Sequence, residues 1–341
     1  MTIKLIFILI LNLSLSQFSF ANERKPLENC DGIYIDWKNY QSTVDALRLI
    51  FRKENFEMLE KKLYCLTDSS RYFVSGEAGS SAAYRVFRKE IFTGVNVNKI
   101  SAKISAWKSQ IPGSSFIYFA KARLKYAEAW GYRGTRYANY TPKEQIDLFQ
   151  STLAEAERAV LSSDNPLKGT AISNNLLLAI ILDSNQPISD ARTVFDNSVK
   201  KWPRHFAFYE LILSRIVPKW GGSWQAVDQF ISFWSKQKNE PDDVSMYARL
   251  YYGIHKSGYS LEKTKVNLEV LKTSLVSLNE KFPSTKHKII AASYACHYKD
   301  YQAFMLFSKE LSSVAKQRKN YWLKGTTQAI CDSTLTAKSG H

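Results

Sequence analysis

The chain predicts an all-α fold of tandem antiparallel helical hairpins, a tetratricopeptide-like solenoid or superhelix. Three observations predict it. From Ser42 onward apolar residues recur at three- and four-residue spacing, the period of an amphipathic helix. Glycine and proline are sparse, 14 and 9 in 341 residues, too few for the frequent turns of a β-sandwich. In the second half, the tetratricopeptide offsets of Ala, Phe four residues on and Pro eight further recur in degenerate form, with Leu replacing Ala and Phe in one unit and irregular spacing beside the W-G-G-S turn. With 45% hydrophobic residues the chain can bury a sizeable core.

Residues 1–21 read as a secretory signal peptide. Lys4 supplies the positive start, Leu5 to Leu15 is almost continuously apolar, and Ser19 and Ala21 place small residues for cleavage after Ala21. The apolar run is short for a membrane span, and nothing later approaches the needed length. No cysteine comes directly after the cut, which disfavours a lipoprotein anchor. A periplasmic or secreted protein is expected, with N-terminal helical hairpins over 22–135 and a tetratricopeptide-like repeat region over 136–341.

Export makes disulfides the default for Cys30, Cys65, Cys296 and Cys331. Four cysteines allow three connectivities. Each terminal pair is thirty-five residues apart, about one helical hairpin, which favours Cys30–Cys65 and Cys296–Cys331 as staples of the two ends. Each staple contributes roughly 3–4 kcal/mol in the chain-entropy model. A zinc site is the rival, but there is no C-x-x-C pair and the histidines lack ligand spacing.

The elements run in order from the N-terminus. Val44, Leu47, Leu49, Ile50 and Phe51 form one stripe, and Phe56, Leu59, Leu63 and Leu66 a second, with a tight reversal at Lys53-Glu54-Asn55. Gly76 to Ser81 reads as a loose loop. Helices then run through Tyr84, Phe87 and Ile91, through Ile100, Ile104 and Trp107 to a stop at Pro112, and from Phe116 to Trp130. Thr141 is expected as an N-cap, with Pro142 at the first helical position and Glu144 closing a capping box. The helix it opens carries Ile146, Leu148, Phe149, Leu153, Ala156, Val160 and Leu161. Repeat offsets then fit Ala191, Phe195 and Pro203, then Ala226 and Phe230, then Leu271, Leu275 and Pro283, then Ala303 and Phe307.

The most distinctive stretch is Arg215-Ile216-Val217-Pro218-Lys219-Trp220-Gly221-Gly222-Ser223-Trp224. Pro218 stops the preceding helix, because it lacks a backbone donor and pushes Val217 out of the helical region. The glycines suit a sharp reversal, and Ser223 is a good N-cap for the helix through Ala226, Val227, Phe230 and Ile231. A structural reading buries Trp220 and Trp224 against neighbouring helices. A functional reading has free N–H groups at Gly222 and Ser223, beside Lys219, holding an anion.

Together with Ala129-Trp130-Gly131-Tyr132-Arg133-Gly134 and the helix after it, this stretch resembles the bacterial family called domain of unknown function 4034. The shared features are an A-W-x-x-R-G segment, a helix rich in Phe, Leu and Ala, and a later P-x-W-G-G-S. They cover about residues 115 to 235, and more loosely the rest of the mature chain. The resemblance implies a helical, tetratricopeptide-like chain and no activity. It marks Trp130, Arg133, Gly134, Trp220, Gly221, Gly222, Ser223 and Trp224 as a joint or interaction site where the two motifs meet.

No catalytic signature is legible: no H-E-x-x-H, no G-x-S-x-G, no Walker loop. His205, His255, His287 and His297 are scattered and read as surface or capping residues. Glu128, Glu155 and Glu157 are spaced like helix-face carboxylates. No cofactor or metal is expected. The formal net charge is +16, which reads either as solvated lysines or as attraction to an acidic partner. Nucleic acid fits an exported chain poorly. The 19 Tyr, 19 Phe and 8 Trp include groups such as Tyr132, Tyr137 and Tyr140, or Tyr247, Tyr251 and Tyr252, able to line a concave groove. The expected function is non-enzymatic binding of an unknown protein or peptide. The alternative is binding or remodelling of cell-wall glycan.

Overall fold

A computed structural model describes residue 30 and residues 32–68, 70–91, 96–134, 140–237, 243–309, 311 and 321–336. The expected signal peptide, residues 1–21, lies outside the described residues, as does Tyr137. From Ile33 on, the described residues form one compact unit; of the unit ending at Gly32, only Cys30 and Gly32 are described.

The fold is all-α. The described helices are α1 (Tyr40–Arg52), α2 (Phe56–Asp68), α3 (Gly79–Glu90), α4 (Val97–Gln110), α5 (Phe116–Arg133), α6 (Lys143–Leu161), α7 (Ala171–Asp183) and α8 (Ile188–Lys201). They continue as α9 (Ala207–Arg215), α10 (Trp224–Trp234), α11 (Asp243–Lys256), α12 (Leu268–Lys281), α13 (Thr285–His297), α14 (Tyr301–Ser308) and α15 (Gln328–Thr336). Among the described residues the only extended pairing is a single bridge between Tyr72 and Ala78. Many starts are set locally: the side chains of Asn39, Asn96, Thr170, Ser223, Asn267, Ser284 and Asp300 each accept a hydrogen bond from a backbone N–H of the first turn.

Most consecutive helices pack on one another, and several also touch the next but one, such as α1 with α3, α5 with α7 and α7 with α9. The expected boundary at 135/136 falls among undescribed residues, and the flanking helices α5 and α6 lie packed along each other within the one unit. The first half centres on stacked aromatics: Trp107 lies flat on Phe56 at 5.2 Å, and Phe87 stacks on Trp107 and meets Phe119 edge-on at 4.9 Å. Trp107 donates its indole N–H to the buried Glu60 carboxyl. Helices α7 and α13 are buried round most of their circumference, because neighbours cover both sides. The repeat positions Ala191, Phe195, Leu271 and Leu275 face the core of α8 and α12. Cys296 and Cys331 are bonded, with Cα atoms 5.6 Å apart, tying α13 to α15. No cysteine among the described residues is a free thiol.

Several local expectations are corrected. The stretch Gly76 to Ser81 is not a loose loop: α3 begins at Gly79, and Gly79, Ser80 and Ser81 are buried. A Cβ at Gly79 would sit 2.6 Å from the Leu66 carbonyl, so close packing rather than looseness selects glycine there. Thr141 is not the cap of α6. Pro142 holds that position with φ −53° and ψ 146°, and the Thr141 hydroxyl accepts from Arg133 Nη1 at 2.8 Å instead. Leu49, Leu148 and Leu161, counted in the apolar stripes, point outward, 53%, 48% and 41% exposed. His205, His255 and His287 are neither surface nor capping side chains but buried ones, packed among rings. Burial pushes the imidazoles of His205 and His255 down to about 3.

Candidate functional site

The turn 72–78 before α3 reaches far along the chain. Phe73 and Glu77 pair across it through their backbones, and Gly76 takes φ +84° to close it. The turn therefore presents the Ser75 carbonyl to Arg249 of α11, 174 residues away, at 2.8 Å, and Glu77 to Lys286 of α13, 209 residues away, at 2.6 Å. Ser75 also donates its hydroxyl to Glu77. Burial alone would raise the Glu77 carboxyl. The charges of Lys286 and Arg249 and the Lys286 hydrogen bond outweigh it and hold the group at about 2.

These cross-links close the helices around a cavity of about 1770 Å³, lined from α1, α3, α5, α7, α9, α11 and α13. Its wall carries eleven arginines and lysines against three carboxylates, Asp45, Glu77 and Glu210. Among the aromatic residues between them are Tyr84, Tyr126, Trp130, Trp220 and Tyr252.

One part of the wall is charge-balanced. Asp183, the last residue of α7, with its side chain 5% exposed, accepts Arg215 Nε at 2.7 Å and Nη2 at 2.9 Å. The same carboxylate accepts the Tyr126 hydroxyl at 2.5 Å and the Trp130 indole N–H at 3.0 Å. Arg215 lies over both Trp130 and Trp220, whose rings meet edge-on at 6.3 Å. Burial first, then the Asp183 charge, pushes the Tyr126 phenol up.

Another part is not balanced. On α3, Arg85, Arg88 and Lys89 face the cavity, and among the described residues none of them forms an ion pair. The nearest carboxylate in sequence, Glu90, turns to α1, where Arg48 Nε at 2.7 Å and Arg52 Nε at 2.8 Å take it. The Lys89 ammonium is pushed down, first by Arg85, then by burial and by Arg88 and Arg48.

Of the residues nominated from sequence, Trp130, Arg133, Gly134 and Trp220 line the cavity, whereas Gly221, Gly222, Ser223 and Trp224 do not. The two motifs meet through Trp130 and Trp220. The cation between them is Arg215 rather than Arg133. Trp220 is 44% exposed and so is not a core residue; its ring edges the cavity instead. Trp224 packs edge-on against Tyr259 at 5.2 Å. Gly221 takes φ +87°, while a Cβ at Gly222 would overlap the Ile216 carbonyl. The Gly222 N–H donates to the Val217 carbonyl and the Ser223 hydroxyl caps Ala226 N, so that turn is occupied by its own backbone.

No family model, curated protein or solved structure matches this chain. The site therefore rests on its own geometry. Among the described residues no three His, Cys, Asp or Glu side chains converge as metal ligands, and no helix is long and apolar enough to cross a membrane. Sequence reasoning missed Glu77, Asp183 and the α3 cations. Glu77 lay in the supposed loop, and Asp183 closes a helix whose apolar run drew attention away from it. The α3 cations did carry a signal: Arg85-Val86-Phe87-Arg88-Lys89 places three positive charges on one side of two buried apolar residues.

Proposed function

We propose that the chain is an exported, non-enzymatic binding protein whose superhelical stack of hairpins holds a segment of another protein or peptide in its basic interior. The observation that carries this reading is the wall composition, an excess of eight positive charges interleaved with aromatic faces. Such a wall concentrates field lines in a concave space and attracts an acidic ligand. Tyr, Trp and Arg are also the side chains that most often anchor recognition.

The titratable groups support binding over catalysis. A general acid needs a carboxyl raised toward neutrality. Glu77, within the cavity, is held low by Lys286 and Arg249. Glu60 is raised by burial, against opposing hydrogen bonds from Ser114 and Trp107, but it does not line the cavity. The disulfides fit the exported location proposed here. Membership of the domain of unknown function 4034 family is part of the same proposal.

Binding of cell-wall glycan is the second reading, favoured by the half-exposed face of Trp220, which would stack on a sugar ring. Tryptophan emission of the chain from Asn22 onward, titrated with a glutamate-rich peptide, a lysine-rich peptide and soluble peptidoglycan fragments, tests both. The glutamate-rich peptide alone should bind, and should weaken with added salt. Binding of the glycan fragments without the acidic peptide would replace the first reading with the second.

A further inference from the structure

The α3 wall carries a spacing as well as a charge. Arg85 and Lys89 lie four residues apart, so their side chains leave one face of the helix about 6 Å apart along its axis. Arg88 stands between them on the same side. An extended peptide shows alternate side chains on one face, about 6.8 Å apart. Flexible Arg and Lys side chains absorb the difference. Acids at every second position would therefore meet Arg85 and Lys89 together, whereas adjacent acids point to opposite faces and offer only half their charge.

We propose that this wall reads an extended acidic peptide segment with Glu or Asp at alternate positions, the α3 cations taking its carboxylates. The proposal rests on the acidic-peptide binding reading and gives it a sequence preference. Three features make α3 the reading element. Its cations form no ion pair among the described residues. Glu90, the carboxylate that could have neutralised them, is held by Arg48 and Arg52. Two other wall cations are already committed, Arg215 to Asp183 and Lys286 to Glu77.

The test compares two eight-residue peptides of identical composition, one alternating Glu and Thr, the other repeating Glu-Glu-Thr-Thr, in which no two Glu stand at alternate positions. Net charge is the same in both, so general attraction to the cavity cancels. By fluorescence anisotropy at low salt, the alternating peptide should bind about three- to tenfold more tightly, the worth of two partly exposed ion pairs. The Arg85→Gln/Lys89→Gln variant should lose that preference. Lys219→Gln, elsewhere on the wall, should weaken both peptides and leave their ratio unchanged. If the double variant loses its thermal transition, Lys89→Gln alone, at an exposed position, should shrink the preference. Equal affinity for the two peptides, or a preference that survives the α3 variants, overturns the spacing inference while leaving acidic-peptide binding standing. Failure of both peptides to bind overturns the binding reading and this inference with it.

Discussion

Two stretches of the same cavity wall set cations beside aromatic rings, and the fold treats them oppositely. Where α5, α7 and α9 meet, Arg215 lies over Trp130 and Trp220 and forks onto Asp183. On α3, Arg85, Arg88 and Lys89 border the same space beside Tyr84 with no carboxylate of their own. The deciding feature is where the nearest helix-terminal carboxylate points. Asp183 ends α7 and turns toward Arg215. Glu90 ends α3 and turns away, to α1. A desolvated and fully bonded charge pair holds its surroundings in one arrangement. Unpaired cations at an open wall do little for stability, and their charge is left to a partner.

The largest test of that contrast is Asp183→Ala. It leaves Arg215 without its counter-charge and takes an acceptor from Tyr126 and Trp130, so the expected loss is about 3–5 kcal/mol in denaturant unfolding. A loss below about 1 kcal/mol would make the joint no more structural than a surface pair.

Acidification probes a second balanced pair. Glu77 titrates at about 2 when folded against an ordinary 4.5, so the unfolded chain takes up a proton that the folded one refuses. Its stabilisation is present above pH 4.5 and is lost as the pH falls toward 2, in all about 3 kcal/mol. His205 and His255 act in the same direction higher up: their folded values of about 3, against 6.5, make stability decline as the pH falls from 6.5. Urea midpoints measured against pH should therefore fall in two overlapping stages. Glu77→Gln should remove the lower stage and keep the upper one. Replacing Arg85 or Arg88 should leave the curve unchanged.

The corner that carries Trp220 into the joint should tolerate substitution poorly, for two separate reasons. Gly222→Ala forces a Cβ into the Ile216 carbonyl and should cost about 1–3 kcal/mol by overpacking. Gly221→Ala meets open space but keeps a left-handed backbone, at about 1–2 kcal/mol. Thermal melts of the two variants check both. If Gly222→Ala is silent, the turn is not held as tightly as its geometry implies. The smallest effect belongs to the other side of the comparison. Arg85→Gln should leave the unfolding midpoint within about 0.5 kcal/mol of the parent, because it removes no ion pair among the described residues. A clear loss of stability there would show that the α3 wall is structural after all.

Local interactions made much of the fold legible in sequence. Apolar spacing marked the all-α class and most helices, because a helix must turn one face to the core whatever it packs against. Ser223 was readable as a cap, and Pro218 as a stop, because each acts within a few residues. The matched cysteine spacing anticipated the Cys296–Cys331 link for the same reason, since a helical hairpin returns its ends to each other. The site was legible only in pieces. Trp130 and Trp220 stood out as motifs, but nothing local showed that Arg215 lies over both or that Asp183 answers it. Glu77 was hidden in an apparent loop until packing brought Lys286, 209 residues away, against it. Whether a charge is neutralised or left open depends on which helices become neighbours. Periodicity shows which face of a helix is buried, but only the tertiary packing decides which opposite charge meets it.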